Sequence, residues 1–329
     1  MTGPDPAAGT STTAPTRLLG ACRRVLGEHG SPHESLRTAA GLGLSLVEFA
    51  SPFDIAADLA PGAFRTLADA GRALGVQVAC ALGMLSPGHP DRTRRYRDAG
   101  GGDLLTGLHK AVAAIAELGT GHVQVVVGTL DDRHDPRNDW AGQLQATADL
   151  YTALRPVLSD LGLALAIKTH EEITSHEILT LIDTVGADVL AVALDPVNLP
   201  VRGEDPVLAT ERLAAHVARV HYDDAWITFT GRGLARRLCP AGEGDIDWPA
   251  IFRALDRADR TAPVLIDLHR AEFEIPVRDE HWLLHNGDIS LREVSILSAN
   301  ARPDREPVMA TAPRLRAALT QLLPQRATP

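Results

Sequence analysis

The sequence predicts an α/β protein, a single (β/α)8 barrel, and three observations predict it. Short runs rich in Val, Leu, Ala and Ile alternate along the chain with segments of helical period. Most of these runs are apolar at every position, as in strands of a parallel sheet covered on both faces. Several stop at charged or imidazole side chains, which is where a parallel barrel presents its site.

The elements follow in order. Arg17 to Arg23 reads as a short first strand, with a helix from about His33 to Ala40. Leu44 to Ala50 is the second strand. Its helix runs from Pro61 to Leu74, with Pro near the first turn and Gly75 at the stop. Val76 to Gly83 is the third strand, followed by a long polar loop (84–103) expected to overhang a site. Leu104 to Leu118 is helical, and His122 to Gly128 is the fourth strand.

A long helix, Trp140 to Leu161, precedes the fifth strand, Leu163 to Lys168. Ser175 to Val185 is the next helix and Val189 to Leu194 the sixth strand. Val207 to Val217 is helical, and Ala218 to His221 opens the seventh strand. The segment after it is too long for a tight turn and should fold over the barrel mouth. Asp247 caps a helix from Trp248 to Ala258, and Pro263 to Leu268 is the eighth strand. Regular alternation implies a parallel sheet with right-handed crossovers, and eight units imply closure. Residues 1–15 read as a disordered tail and 16–301 as the barrel, with last helical segments within Asp279 to Asn300. Residues 302–329 read as a Pro-rich tail with one short helix near Leu315 to Leu323.

Composition excludes several classes. At 329 residues and 45% hydrophobic, the chain has a core's worth of apolar side chains but no run near the roughly 18 residues of a membrane span. The N-terminus has neither a basic region nor an apolar stretch, so a cytoplasmic location is the default expectation. Cys22, Cys80 and Cys239 are too few and scattered for a disulfide framework or structural zinc. A net charge of −10 argues against nucleic acid, and the cluster Arg92, Arg94, Arg95 and Arg97 reads as a solvated loop. A homo-oligomer stays open.

Four motifs lie between Lys168 and Trp248: Lys168-Thr169-His170, Asp195-Pro196-Val197-Asn198, His221-Tyr222-Asp223-Asp224, and Gly242-Glu243-Gly244-Asp245-Ile246-Asp247-Trp248. In this order they resemble the xylose-isomerase-like TIM barrels, the sugar isomerase and epimerase superfamily. There the strand ends commonly read Glu-x-His, Asp-Pro-x-Asn and His-x-Lys-Asp, and the loop Pro-Gly-Glu-Gly-Asp-x-Asp-Trp. The second and fourth motifs are nearly intact here, while the other two depart at charged positions. Each motif is weak alone; the ordered set is specific.

The resemblance implies a divalent-metal site, Mn²⁺ or Mg²⁺, with Asp195, His221 and Asp267 as ligands, Asp267 replacing a usual glutamate. Lys168 stands where the first glutamate ligand would be, and a protonated lysine has no lone pair. Three repairs follow. Asp223, where the family has lysine, replaces the missing ligand and pairs with Lys168 as an exchanged charge; or His170 coordinates; or no metal binds and the Lys168 ammonium stabilises a substrate oxyanion. His170 and His269, each two residues beyond an inward-facing charged residue, are candidate general bases, or rim histidines bonded to a carbonyl. Glu48 ends a strand inside an apolar run, where a carboxylate is functional or paired. Asn198 is a candidate substrate contact. Arg133 binds a substrate carboxylate or phosphate, or is a surface loop arginine. Glu243 and Asp245 fix loop shape.

The expected activity is that of an isomerase or epimerase acting on a small polyhydroxy carbonyl compound through an enediolate or enolate. A lyase of the same family, a 3-oxo sugar acid decarboxylase or a dehydratase, uses the same enolate. A Schiff-base aldolase on Lys168 is a further chemical alternative, and a non-catalytic barrel that binds a sugar or a partner is the rival of another class.

Overall fold

The computed structural model describes residues 17–27 and 30–323. The expected tail over 1–15 lies outside them. The strands are β1 (Leu19–Cys22), β2 (Leu46–Phe49), β3 (Gln77–Met84), β4 (His122–Val126), β5 (Ala164–Lys168), β6 (Leu190–Leu194), β7 (Val217–Tyr222), β8 (Asp224–Thr230), β9 (Gly233–Cys239), β10 (Val264–Ile266) and β11 (Phe273–Ile275). Eight of them close a barrel in the order β1-β10-β7-β6-β5-β4-β3-β2. Every neighbouring pair is parallel.

The barrel forms because each strand carries two apolar faces. Outward residues such as Val47, Phe49, Val78, Val123, Ile167, Val192, Val220 and Ile266 pack against the helices in one continuous core. Inward residues are mostly small: Gly20, Ala79, Ala166, Ala193. A Cβ on Gly20 would come 2.5 Å from the Leu46 carbonyl oxygen, so only glycine lets β1 and β2 pair there.

The helices Trp140–Leu161 and Ser175–Val185 have the expected bounds. Asp247 caps Trp248–Arg257 by accepting the Ala250 N–H at 2.9 Å, an interaction worth about 1 kcal/mol. Three expectations are corrected. The loop after β3 contains a helix, Pro90–Ala99, held by the Tyr96 hydroxyl donating to the Leu82 carbonyl at 2.6 Å. Its arginines are not merely solvated: Arg95 stacks 4.2 Å above the Phe53 ring. The segment after β7 is an antiparallel hairpin, β8–β9, extended by β11 into a three-stranded sheet. The helix near the C-terminus, Thr311–Leu322, is longer than expected and buries Arg314 and Ala318 against the barrel. Among the described residues no helix is long and apolar enough to cross a membrane.

Candidate active site at the carboxyl end of the barrel

Lys168 ends β5, and its Nζ lies 2.8 Å from Asp195 Oδ2 and 2.8 Å from Asp267 Oδ2. Asp195 follows β6 and Asp267 follows β10, so one ammonium bridges three strand ends. All three side chains are at most 6% exposed. Burial alone would depress the Lys168 pKa, but Asp195 and Asp267 together raise it above its ordinary value. The lysine is therefore a cation, and a Schiff-base mechanism on it is disfavoured.

The carboxylates are held in turn. Burial would raise Asp195, yet His269 and Lys168 hold it well below the usual carboxylate range. Asp267 is held down likewise by Lys168 and by Arg24, whose Nε donates to Oδ1 at 2.7 Å. The Asp195 N–H donates to Thr169 Oγ1 at 2.6 Å, and that hydroxyl donates to the Asp195 carbonyl at 3.1 Å, locking the ends of β5 and β6 together.

His221, fully buried on β7, completes the cluster: Nδ1 is 3.1 Å from Asp267 Oδ2 and 3.6 Å from Asp195 Oδ2. Its Nε2 lies 3.4 Å from Glu48 Oε2. Neither ring nitrogen has an aligned hydrogen bond. Glu48 pairs from below with Arg219, and Cys22 Sγ is 3.8 Å from its other oxygen. Burial pushes the Cys22 thiol up, so it is neutral.

Asp223 does not pair with Lys168. Its Oδ2 accepts His269 Nδ1 at 2.9 Å, the His269 backbone N–H at 2.9 Å and Arg314 at 2.5 Å. The exchanged-charge expectation fails because Asp267 and Asp195, not Asp223, face the ammonium. His269 Nε2 lies 2.9 Å from Asp195 Oδ2, so the ring meets a carboxylate at each nitrogen. Nδ1 donates to Asp223, and Nε2 accepts the Asn198 Nδ2 N–H at 3.3 Å. His269 is thus tied to Asp223 and Asn198 beside Asp195.

Other expected residues fall elsewhere. Asn198 is fully buried and donates to the Thr169 carbonyl at 3.1 Å, while its oxygen accepts Arg236 at 2.9 Å. It braces the β6 turn, with both N–H groups engaged, by Thr169 and by His269. Arg133 donates through Nη1 to the Glu177 carboxylate, at 2.9 Å to each oxygen, and to the Glu172 carbonyl at 2.8 Å, while its Nε is buried without a partner. His170 does not join the Asp195 cluster; it sits between Glu172 (2.5 Å) and Glu171 (2.9 Å). Burial would lower its pKa, but the two glutamates raise it to about 9. Asp245 ties the loop to the hairpin by accepting the Ile227 N–H at 3.0 Å, its neighbour Gly244 donates to Asp224 at 3.2 Å, and Glu243 takes part through its backbone N–H, which donates to the Pro240 carbonyl at 3.1 Å.

Sequence reasoning missed Arg24, Arg219 and Arg314. Arg24 follows a marginal strand, Arg219 is the one cation inside the β7 run, and Arg314 lies in a Pro-rich stretch. Only the run Ala218-Arg219-Val220, a charge at an inward position, carried a signal.

The side chains open on a cavity of ≈ 200 Å³ lined by Cys22, Arg23, Arg24, Glu48, Lys168, His170 and Asp267 among others. Among the described residues three donor groups are close enough to hold an ion: Cys22, His221 and Asp267; Asp195, Asp267 and His269; His170, Glu171 and Glu172. The first two fail on charge. A divalent ion on Asp195 and Asp267 would lie within about 4 Å of the Lys168 ammonium, a repulsion of about 8 kcal/mol at an effective dielectric of ~20. The third is already occupied by the protonated His170. As arranged, these residues do not fit the Mn²⁺ or Mg²⁺ that the motif resemblance implies.

Fold and site together define a (β/α)8 barrel with a charged carboxyl-end centre. The profile of the xylose isomerase-like TIM barrel family matches residues 36–286, and the chain belongs to that family. It is 27% identical over 180 residues to the Escherichia coli (strain K12) protein YihM, covering 51% of this chain and 55% of that one. It is 25% identical over 157 residues to the 3-oxo-isoapionate decarboxylase of Pectobacterium atrosepticum, covering 46% and 48%. The chain thus spans about half the length of these relatives. An L-ribulose 3-epimerase structure superposes with a TM-score of 0.61 at 20% identity, over 94% of this chain and 95% of that one. A D-psicose 3-epimerase determined with D-fructose superposes at 0.60 and 16%, over 87% and 99%. These two share the fold.

Proposed function

We propose that the protein is a sugar isomerase- or epimerase-like enzyme acting on a small polyhydroxy carbonyl compound through an enediolate or enolate. The Lys168 ammonium takes the role of the stabilising cation. One observation carries this: the ammonium is fixed by Asp195 and Asp267 at the barrel mouth and lines the cavity. Its partners are in place before substrate arrives, so little reorganisation is needed when charge develops on the carbonyl oxygen. Glu48, which also lines the cavity, removes the proton next to the carbonyl. His170, protonated at neutral pH, returns one.

A second reading, decarboxylation of a 3-oxo sugar acid, is favoured by the relative of that activity and by the cations in the cavity lining, Arg23, Arg24, Lys168 and the protonated His170. There the C–C bond to the carboxylate breaks, its electron pair moves to the carbonyl oxygen as an enolate beside Lys168, and carbon dioxide leaves. Incubation with ketoses and 3-oxo sugar acids in D2O separates the readings. Deuterium uptake with all carbons retained supports the first, and carbon dioxide release supports the second. Neither event on any compound would leave the non-catalytic barrel.

A further inference from the structure

A second, larger cavity of ≈ 850 Å³ opens at the opposite, amino end of the barrel. It is lined by the first residues of β3, β4, β5, β6 and β7, so it shares no opening with the strand-end centre described above. Barrel interiors are ordinarily filled by large branched side chains. Here Ala79, Ala164 and Ala191 leave the lower layers hollow, and Arg219 lines the space together with Gln77, His122 and Arg260.

Arg219 is 4% exposed. Its Nη2 donates to the His122 carbonyl at 2.9 Å and its Nη1 meets Glu48, but its Nε–H has no acceptor. A buried guanidinium N–H without an acceptor costs about 1–3 kcal/mol, so the site is built to receive one. Burial lowers the Arg219 pKa only to about 10, which leaves it charged. The hydroxyl of Thr120, also on the lining, is likewise buried without a partner. The walls beside them are apolar, including Leu46 and Val217. Of the rim carboxylates, Asp188 is taken by Arg155 at 2.9 Å, leaving Asp259.

We propose that this amino-end cavity binds a small monocarboxylate, its oxygens on Arg219 and its apolar body against the alanine-lined walls. The volume falls in the range of small-molecule sites, about 300–1,000 Å³, and the lining mixes alanine walls with polar groups such as Gln77, His122 and Arg260. The cavity opens away from the carboxyl-end centre, although Arg219 also pairs with Glu48 there.

Butyrate is the probe, with butyramide as its uncharged counterpart, titrated into the full-length protein by ligand-observed NMR and calorimetry. Three folded variants, checked by circular dichroism, locate the binding. Ala191→Leu fills the cavity, Arg219→Met removes the cation, and Lys168→Met removes the cation of the carboxyl-end site. The expected result is saturable butyrate binding, weakened about tenfold or more by Ala191→Leu and by Arg219→Met, unchanged by Lys168→Met, with butyramide weaker by a similar factor. Should Arg219→Met fail to fold, Ala191→Leu and butyramide still decide. No saturable binding, or binding lost in Lys168→Met and kept in Ala191→Leu, overturns the proposal.

Discussion

Lys168 Nζ donates to Asp267 Oδ2 at 2.8 Å and so ties β5 to β10, strands that β6 and β7 separate in the barrel. The bond crosses the barrel mouth, and Asp195 meets the same nitrogen from β6. If this ammonium stabilises developing negative charge, Lys168→Met should lower kcat by about 10² or more, the scale of losing one oxyanion donor. Circular dichroism and the unfolding midpoint should show a folded protein. Wild-type turnover in a folded variant would remove Lys168 from the mechanism.

The charge argument against a divalent ion also runs in reverse. Lys168→Glu replaces the repelling cation by a carboxylate beside Asp195, Asp267 and His221, a set of oxygen and imidazole donors suited to Mn²⁺. Calorimetric titration should show Mn²⁺ binding in this variant at least about tenfold tighter than in the wild type. Equal affinities would mean that Lys168 is not what keeps an ion out.

His170 sets an expected pH dependence. Its folded pKa of about 9 is above the ordinary value of 6.5, so its pairing with Glu172 and Glu171 stabilises the fold fully below pH ~6.5. That contribution is lost as pH rises through about 9. As a proton donor His170 should also give kcat a falling limb near the same pH. Denaturant unfolding and kcat, each followed from pH 6 to about 10, should both lose this dependence in His170→Gln. Either profile unchanged in the variant would contradict the assignment it tests.

Arg314 carries a structural prediction. It is 1% exposed and donates to Asp223 Oδ2 and, at 2.7 Å, to the His269 carbonyl. Arg314→Met leaves the buried Asp223 carboxylate without its guanidinium partner, and breaking such a pair costs about 3–5 kcal/mol. Urea unfolding measures it. A loss under about 0.5 kcal/mol, ordinary for a surface substitution, would mean that the C-terminal helix is not part of the site's support.

The barrel was legible because its signal is local: apolar runs, helical period, and Asp247 capping a helix it immediately precedes. What escaped was set by distant residues. Helix Pro90–Ala99 has four arginines on a short segment, and what fixes it is the reach of Tyr96 to β3 and of Arg95 to Phe53. The β8–β9 hairpin turns at Gly231 and Arg232 alone, but length made it look like a loop. Within the site, Lys168, Asp195, His221 and Asp267 were named correctly as a converging set. Which acid the lysine would choose was not legible, since Asp267 lies 99 residues away and Asp223 stood at an equally plausible strand end. The partners of His170 and Arg133 were not legible because these glutamates, Glu172 and Glu177, belong to the next loop and helix.

The metal content of the wild-type protein, read by elemental analysis before and after dialysis against chelator with turnover followed in parallel, tests the central claim most directly. A lysine in the ion's place predicts far less than about one divalent ion per chain and turnover unchanged by the chelator. About one Mn²⁺ or Mg²⁺ per chain, with turnover lost on its removal and restored on its return, would contradict it.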